Sequence, residues 1–369
     1  MNPRTPAPSP AASAPVATRT RTMRAVVKTT TGPGAEIRDV PMPSPAASEV
    51  LLRVLRAGVC GTDLHIYEWD RWSQGRIRPP VTLGHEFVGE VVECGTGITE
   101  VHVGDWVACE SHIVCYSCLA CRTGNAHLCE RTRILGVDVN GGFAQFVVVP
   151  GVNCWHVPSN VPIEVAAVME PLGNAVHTAF AGPISGCNLL VAGCGPIGLF
   201  AIAVARAAGA ARVFASDVAP YRLELARRMK ADAVIDVARE NLVDRVQELT
   251  AGRGLDGVLE MSGNPAAMRD GLAALRNGGR LSLLGLPKEP FALDWNRLVI
   301  FKGVTVHGII GRRMYETWYQ MDNLLGAGRL DVRPAITHIM PMEDFEDAIG
   351  LLRSGQAGKV VLVPWGENG

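Results

Sequence analysis

Hydrophobic positions follow two different rhythms along this chain. Between about Ala25 and Val161, short apolar runs such as EVLLRVLRAGVC and FAQFVVVPG are separated by Gly, Pro and Asp, which is typical of β-strands. From Leu189 onward, strand-like runs alternate with helix-like runs, as in NLLVAG followed by LFAIAVARAAG. Repeated strand–helix units indicate a parallel sheet covered by helices on both faces. The pattern therefore predicts an α/β protein with a mostly β domain and a doubly wound domain.

The C-terminal part of the chain predicts a return to the first domain. A helical segment that contains METWYQM is followed by a strand–helix–strand unit that ends in KVVLVPW. A short terminal strand needs a sheet to pair with, so we expect it to join the mostly β domain. We place that domain at residues 23–170 and 311–369, and the doubly wound domain at residues 171–310.

One long uncharged stretch could be mistaken for a membrane span. No Asp, Glu, Lys or Arg occurs between Pro171 and Ala205, and length alone is compatible with a transmembrane helix. The glycines and proline of GCGPIG interrupt the centre of this stretch, however. We expect a buried strand, a turn and a buried helix of a water-soluble domain.

Composition narrows the possible classes of protein. Hydrophobic residues make up 48% of the 369 residues, which excludes disorder along the whole chain. The formal net charge of -1 argues against a purely electrostatic partner such as nucleic acid or an anionic membrane. Residues 1–22 are rich in Pro, Ala and Arg and predict a disordered tail, either a transit peptide or a start site placed too early, with Met23 as the alternative start. Without an apolar run of signal-peptide length, we expect a cytoplasmic protein.

The segment Gly193–Gly198, GCGPIG, has the pattern of a dinucleotide-binding turn. It follows an apolar strand and opens a helix, and an acidic residue, Asp217, ends the next strand. Gly193 would make the tight turn, Gly195 would let the backbone approach a pyrophosphate, and Gly198 would allow close packing of helix on strand. The Asp217 carboxylate would accept from ribose hydroxyls and repel a 2'-phosphate, which favours NAD over NADP. Arg222 is either an adenosine contact or a solvated helix charge.

Four cysteines within one loop predict a structural zinc site. The spacing C-x2-C-x2-C-x7-C lets four thiolates close a tetrahedral shell around zinc without a position for water or substrate. An iron–sulfur cluster and disulfides are the alternatives. The four cysteines are Cys115, Cys118, Cys121 and Cys129.

A second group could hold zinc with one open position, which is the catalytic arrangement. Cys60 lies in GVCGTDLH, and His85 and Glu86 lie in TLGHEFVGE. Neighbouring residues of a strand point in opposite directions, so Gly84 must help to bend the backbone if both reach one ion. Glu170 is a rival third ligand or a carboxylate behind the ligands.

Together, the motifs CGTDLH, GHE, the four-cysteine loop and GCGPIG resemble those of the zinc-dependent medium-chain alcohol dehydrogenase superfamily, from about Met23 to the end of the chain. The resemblance implies a GroES-like catalytic domain around a Rossmann domain, a homotetramer, and NAD as the cofactor. Longer segments, such as CGTDLHIYEWDRWSQ and EPLGNAVHTA, resemble those of the threonine-oxidising members of this superfamily. This resemblance implies oxidation of L-threonine to L-2-amino-3-ketobutyrate, with the alkoxide on zinc and hydride transfer to NAD.

The resemblance also implies roles for individual residues. Cys60, His85 and Glu86 would bind the catalytic zinc, Thr62 and His65 would form a proton relay, and Glu170 would tune the zinc or the relay. Without the resemblance, Thr62 could be a turn cap and His65 a surface histidine. Asp217 and Arg222 would contact the cofactor. The other positions implied to line the cofactor are Ile197, Leu284, Gly285, Leu286, Ile309 and Ile310.

Two further functions are compatible with the same motifs. A dehydrogenase of polyols or vicinal diols, such as sorbitol or 2,3-butanediol, would use the same zinc and cofactor. A zinc-finger or scaffold protein that retains NAD would need a basic face beside the cysteine loop, where only Arg122, Arg131 and Arg133 are near. The expected partner is a small-molecule substrate, L-threonine, with no nucleic acid or membrane.

Overall fold

A computed structural model describes residues 21–364 of the chain, and the predicted tail lies outside these residues except at its end. Thr22, the last residue of the predicted tail, belongs to the first strand, where it pairs with Pro41. Among residues 21–364, no helix is both long enough and apolar enough to cross a membrane.

The described part of the chain contains eighteen strands and eleven α-helices. The strands are β1 (Thr22–Lys28), β2 (Glu36–Pro41), β3 (Glu49–Val59), β4 (Val81–Thr82), β5 (Glu86–Cys94), β6 (Trp106–Cys109), β7 (His112–Ile113), β8 (Arg133–Ile134), β9 (Phe146–Pro150), β10 (Cys154–His156), β11 (Asn188–Ala192), β12 (Arg212–Asp217), β13 (Ala233–Asp236), β14 (Leu255–Glu260), β15 (Leu275–Leu283), β16 (Thr305–Gly308), β17 (Ile336–Pro341) and β18 (Lys359–Val363). The helices are α1 (Gly61–Glu68), α2 (Arg71–Arg76), α3 (Leu119–Arg122), α4 (Ile163–Ala166), α5 (Met169–Phe180), α6 (Pro196–Ala207), α7 (Pro220–Arg228), α8 (Leu242–Thr250), α9 (Pro265–Ala274), α10 (Glu316–Gly326) and α11 (Phe345–Ser354).

The first sheet has seven strands and is built around β3. Its order is β10-β6-β5-β3-β18-β17, and β9 pairs with β3 as well. The long strand β3 is antiparallel to β5, which brings the residues after β3 close to those before β5. Cys60 directly follows β3 and Glu86 begins β5, so this pairing brings two distant parts of the sequence to one edge.

The second sheet is parallel and has the order β13-β12-β11-β14-β15-β16. Numbered within the domain, this order is 3-2-1-4-5-6, which is that of the Rossmann fold. The uncharged stretch forms β11 and α6, the strand and helix that the sequence predicts, and most of α5, which it does not predict. Its helices are buried because α5 packs on α6 and α10 packs on α5.

The C-terminal strand joins the first sheet, which confirms the prediction. Val360 pairs with Val59 and Leu362 pairs with Ala57, so β18 is antiparallel to β3. Strand β17 lies beside β18 in parallel register.

Within the mostly β first domain, residues 61–76 form two helices that the sequence does not predict. That segment forms α1 and α2, of which α1 buries only Asp63 and Ile66. With so few buried positions, α1 shows no apolar stripe of helical period from which the sequence could predict it.

Candidate active site

A cleft of about 680 Å³ lies between the two sheets. Its walls combine the two sets of residues that the sequence singled out separately. Cys60, Thr62, His85, Glu86 and Glu170 form one side of the cleft, and residues of the Rossmann domain form the other. The residues predicted to line the cofactor that occur here are Ile197, Leu284, Leu286, Ile309 and Ile310.

Cys60, His85 and Glu86 form a compact group at the floor of the cleft. One ligand atom from each lies within 4.8 Å of the other two, and the His85 Nε2 to Glu86 Oε1 distance is 4.0 Å. Gly84 bends the backbone just before them, with φ of 90°, and a Cβ there would overlap Phe143. The expected role of Gly84 in aiming both side chains at one point is therefore consistent with the geometry.

Two buried residues that the sequence analysis did not identify surround this group. Asp63 accepts from the Cys60 backbone N–H at 2.9 Å, and its other oxygen lies 3.7 Å from His85 Nδ1. On the opposite side, Lys359 from β18 donates to the Val59 carbonyl at 2.8 Å and forms a buried ion pair with Glu86 Oε2. A carboxylate behind a histidine is the usual way of orienting a metal-binding imidazole.

The electrostatics of the group favour a bound cation. Burial opposes charge on His85, but the nearby Asp63 and Cys60 outweigh that effect and raise the pKa of His85 to about 10. Glu86 Oε1 is buried without a hydrogen-bond partner among the described residues, as expected for an oxygen that faces an ion. A thiol, an imidazole and a carboxylate are a donor set suited to zinc.

Glu170 belongs to a separate buried network beside the metal-binding group. Its Oε1 accepts from Ser111 Oγ at 2.6 Å and lies 2.7 Å from Arg312 Nη1. Arg312 also forms a bidentate ion pair with Glu110. The Glu110 carboxylate accepts a further hydrogen bond from Trp318 Nε1 at 2.7 Å. This geometry places Glu170 among residues that hold it in position, rather than in the group whose ligand atoms converge.

His112 lies against the same network and lines the cleft. Burial and the neighbouring Arg312 lower the pKa of His112 to about 4, against the opposing effect of Glu110. The imidazole of His112 is therefore neutral near pH 7 and can donate or accept a hydrogen bond inside the cleft.

Helix α1 carries Thr62 and His65. The Thr62 hydroxyl lies 3.8 Å from Cys60 Sγ and faces the cleft, whereas the side chain of His65 is 52% exposed. Residues three positions apart lie on the same side of a helix, so Thr62 and His65 share one face of α1. Thr62 lies at the end of this face that borders the cleft, and His65 lies at the end that is exposed to solvent.

The glycine turn has the shape that a dinucleotide requires. Gly193 has φ of 94°, and a Cβ at Gly198 would lie 1.9 Å from the Gly193 carbonyl oxygen. A Cβ at Gly195 would meet no atom within 4 Å, which leaves open space in front of the first turn of α6. This helix starts with Pro196, and its free N–H groups face that space.

Asp217 holds the glycine turn in place. Its carboxylate accepts from the Cys194 N–H at 2.8 Å and from the Ala219 N–H at 2.9 Å. The Nε of Arg222 is buried without a hydrogen-bond partner among the described residues, as would suit a group that meets a bound ligand.

The backbone of Leu284 and Gly285 is anchored by a residue that the sequence analysis did not identify. Both N–H groups donate to the carbonyl of Glu260, at 3.0 and 3.1 Å. The Glu260 side chain accepts from the Ser262 and Gly263 N–H groups and is fully buried. Burial raises the pKa of Glu260, although these hydrogen bonds oppose the shift.

The four predicted cysteines of the loop converge on one point. Their sulfur atoms lie within 4.8 Å of one another, and Cys115 Sγ and Cys129 Sγ are 3.5 Å apart. Backbone N–H groups of Cys118 and Arg131 point at these sulfurs, at 3.3 Å each. Hydrogen bonds from Ser117 lower the pKa of Cys115 to about 5, which favours the thiolate form that zinc binds.

Two family models match the chain in the regions that build this cleft. Residues 46–159 match the alcohol dehydrogenase GroES-like domain, and residues 196–327 match the zinc-binding dehydrogenase domain.

Individual relatives agree with these matches. An L-threonine 3-dehydrogenase from Symbiobacterium thermophilum is 50% identical over 93% of this chain and 98% of its own length. Among solved structures, an alcohol dehydrogenase from Thermus sp. ATN1 is 34% identical, with a TM-score of 0.82, over 93% of this chain and all of that one. A 2R,3R-butanediol dehydrogenase from Bacillus subtilis is 28% identical, with a TM-score of 0.84, over 93% of this chain and 99% of that one. The chain therefore belongs to the zinc-dependent medium-chain alcohol dehydrogenases and, within them, to the L-threonine 3-dehydrogenase family.

Proposed function

We propose that this chain oxidises L-threonine to L-2-amino-3-ketobutyrate with NAD. The observation that carries the proposal is the cleft in which Cys60, His85 and Glu86 face the cofactor-binding wall, in a chain half identical to an L-threonine 3-dehydrogenase. The butanediol dehydrogenase shares the fold at lower identity, which keeps vicinal diols as the second candidate substrate class.

The protein residues supply position, proton movement and exclusion of water. Cys60, His85 and Glu86 would hold zinc, which when bound supplies a Lewis acid that makes an alcohol more acidic. The turn Gly193–Gly198 would hold NAD, which when bound supplies the hydride acceptor. Thr62 would receive the hydroxyl proton inside the cleft, and His65 would pass it to solvent. Glu170, fixed by Arg312 and Ser111, would shape the field around the reacting carbon.

A panel of substrates tests the proposal. Purified protein loaded with zinc should turn over L-threonine with NAD faster than sorbitol or 2,3-butanediol. Fast oxidation of the diol or polyol without turnover of threonine would assign the chain to the second class.

Replacing Asp217 with asparagine is expected to relax the preference for NAD. The amide oxygen can still accept from the Cys194 N–H, whereas the hydrogen bond from the Ala219 N–H is lost together with the negative charge that would repel a 2'-phosphate. The ratio of kcat/KM for NADP to that for NAD should rise at least about tenfold, which corresponds to about 1.4 kcal/mol. Asp236→Asn, at the end of the neighbouring strand β13, is the control and should leave the ratio unchanged. An unchanged ratio in Asp217→Asn would contradict the assigned role.

Metal analysis tests both zinc assignments together. We expect two zinc ions per chain, one in the cleft and one in the cysteine loop. A chelator should remove the cleft ion first, because a site with three protein ligands leaves a position open to the chelator. A content of one zinc ion per chain would eliminate one of the two sites.

The assembly and location follow from the same proposal. We propose a homotetramer in the cytoplasm, with residues 23–170 and 311–369 as the catalytic domain and residues 171–310 as the cofactor domain. The exposed edge strand β16 and the nearby exposed Phe301 support association between copies of the chain. A net charge of -1 agrees with a partner that is a small metabolite rather than nucleic acid or a membrane. Light scattering should give about four times the 39.4 kDa chain mass.

A further inference from the structure

An acidic residue, Asp70, lies just beyond the exposed end of α1 and contacts His65. Asp70 Oδ2 lies 2.9 Å from His65 Nδ1. The other oxygen of Asp70 accepts from the Ser73 N–H at 2.9 Å and lies 3.0 Å from Ser73 Oγ. Ser73 is fully buried, and its hydroxyl donates to the His65 carbonyl at 2.8 Å. One serine therefore ties the histidine backbone and the carboxylate together.

A strained turn brings Asp70 to this place. Trp69 ends α1 in the left-handed conformation, with φ of 59°, which is unfavourable for a bulky residue. The Trp69 N–H donates to the Ile66 carbonyl and the Asp70 N–H donates to the His65 carbonyl, a Schellman-type ending that folds the chain back over the last turn. The ammonium of the buried Lys28 lies 4.9 Å from the centre of the Trp69 ring and helps to hold it.

The chemistry of the pair decides which ring nitrogen carries the proton. An ionised carboxylate only accepts hydrogen bonds, so a neutral imidazole that faces it must carry its proton on Nδ1. The second nitrogen, Nε2, then has a free lone pair. Burial raises the pKa of Asp70, but hydrogen bonds from Ser73 and the charge of His65 outweigh burial and lower it, which keeps the carboxylate ionised.

We propose that Asp70 is a positioning residue that keeps the proton of neutral His65 on Nδ1, so that Nε2 is the acceptor of the proton relay. This inference rests on the proposed role of His65 in moving the substrate proton. Nε2 takes up the proton that leaves the cleft, Asp70 stabilises the resulting imidazolium, and the imidazolium returns one proton to water. The carboxylate itself stays ionised throughout.

A competing explanation is that Asp70 only caps α2. It occupies the N-cap position of that helix, and its side chain accepts from Ser73 as a capping residue does. Asparagine and serine are also good N-cap residues, so Asp70→Asn and Asp70→Ser separate the two roles.

The asparagine variant reverses the direction of the hydrogen bond between residue 70 and His65. Because the Ser73 N–H requires an acceptor, the amide oxygen takes the place of Oδ1 and the amide NH2 turns toward His65. Nδ1 must then accept, and the ring proton moves to Nε2, where it blocks the relay. A carboxylate-to-amide change that imposes the wrong histidine tautomer lowers kcat about 10⁴-fold in serine proteases. Because His65 is only one member of a relay, we expect a loss of at least about tenfold in kcat/KM for L-threonine.

The test measures the tautomer and the rate on the zinc-loaded full chain. Nitrogen-15 spectra of protein labelled at histidine, with His65 assigned by its disappearance in His65→Gln, should show an unprotonated Nε2 in the native chain and an unprotonated Nδ1 in Asp70→Asn. The kcat/KM of Asp70→Ser should fall between those of the native chain and Asp70→Asn, because the serine side chain is too short to impose either tautomer. The unfolding midpoints of both variants should stay within about 2 °C of the native chain.

A second exposed histidine–aspartate pair provides the control. Asp105 Oδ2 lies 3.8 Å from Nδ1 of His102, outside the cleft, so Asp105→Asn should retain the native rate. Loss of rate in Asp70→Asn without a change of tautomer, or an unchanged rate together with a changed tautomer, would overturn the inference. If His65→Gln itself turns over threonine at the native rate, the relay in the proposed function fails, and that result is independent of the tautomer spectra.

Discussion

Replacing Cys60 with serine is expected to abolish oxidation while leaving the fold intact. The variant loses one of the three converging ligands, and the metal content should fall from two zinc ions to one. Lewis-acid activation contributes several kcal/mol, so the rate should fall at least about 1000-fold. Because Cys60 lies at the cleft and fills no apolar core, the unfolding midpoint should change by less than about 3 °C.

Cys118→Ser is the matched control, with the same thiol-to-hydroxyl change in the other cluster. Loss of the structural ion should lower the unfolding midpoint by at least about 5 °C, with the remaining folded protein still active. The opposite pattern, a stable inactive Cys118→Ser and an unstable active Cys60→Ser, would mean that the two sites are exchanged.

Arg312→Met is expected to be the most destabilising single change near the cleft. Arg312 is 1% exposed and pairs with two buried carboxylates, those of Glu110 and Glu170. Removing one partner of a buried ion pair leaves uncompensated charge and costs about 3–5 kcal/mol, which is about 10 °C in the unfolding midpoint. Differential scanning calorimetry near pH 7 measures the loss.

The pH dependence of that loss has a definite sign. Burial raises the pKa of Glu110, but Arg312 outweighs burial and holds it below the ordinary value of 4.5. A lowered carboxyl pKa stabilises the folded state above pH 4.5, and this stabilisation is lost as pH falls through the folded pKa. The difference between the native chain and Arg312→Met should therefore be largest near neutrality and should shrink in acid.

Two companion variants make the Arg312 result specific. Glu110→Gln combined with Arg312→Met removes one of the two uncompensated carboxylate charges and should recover part of the lost stability. Arg206→Met breaks an exposed pair with Asp232 and should cost less than about 1 kcal/mol. Equal losses from Arg206→Met and Arg312→Met would contradict the role given to burial.

The parts of the site that are local in sequence could be predicted from the sequence alone. The glycine turn and the cysteine loop each occupy fewer than about twenty residues, and each has a spacing dictated by the group it binds. Cys60, His85 and Glu86 could be identified as a set only through residue types and resemblance, since the β3–β5 pairing that brings them together is not encoded by any short motif.

The supporting residues could not be predicted in this way. Arg312 meets Glu110 across 202 positions of sequence, and Lys359 meets the Val59 carbonyl across 300. A buried charge has no characteristic period or neighbour in the sequence, so only the folded chain shows its partner. Asp70 is an intermediate case, because its contact with Ser73 is local in sequence, whereas its contact with His65 depends on the end of α1, a helix that the sequence does not predict.

The return of β18 to the first sheet has a consequence for synthesis on the ribosome. Val59 pairs with Val360, and at about 5–20 residues per second the 300 residues between them take about 15–60 s to translate. During that interval the edge of β3 that will receive β18 is unpaired, and the Glu86 carboxylate lacks its Lys359 ammonium. The nascent chain therefore cannot complete the surroundings of its metal-binding group until the final strand has emerged, and a chain without its last dozen residues lacks both β18 and the Lys359 ammonium.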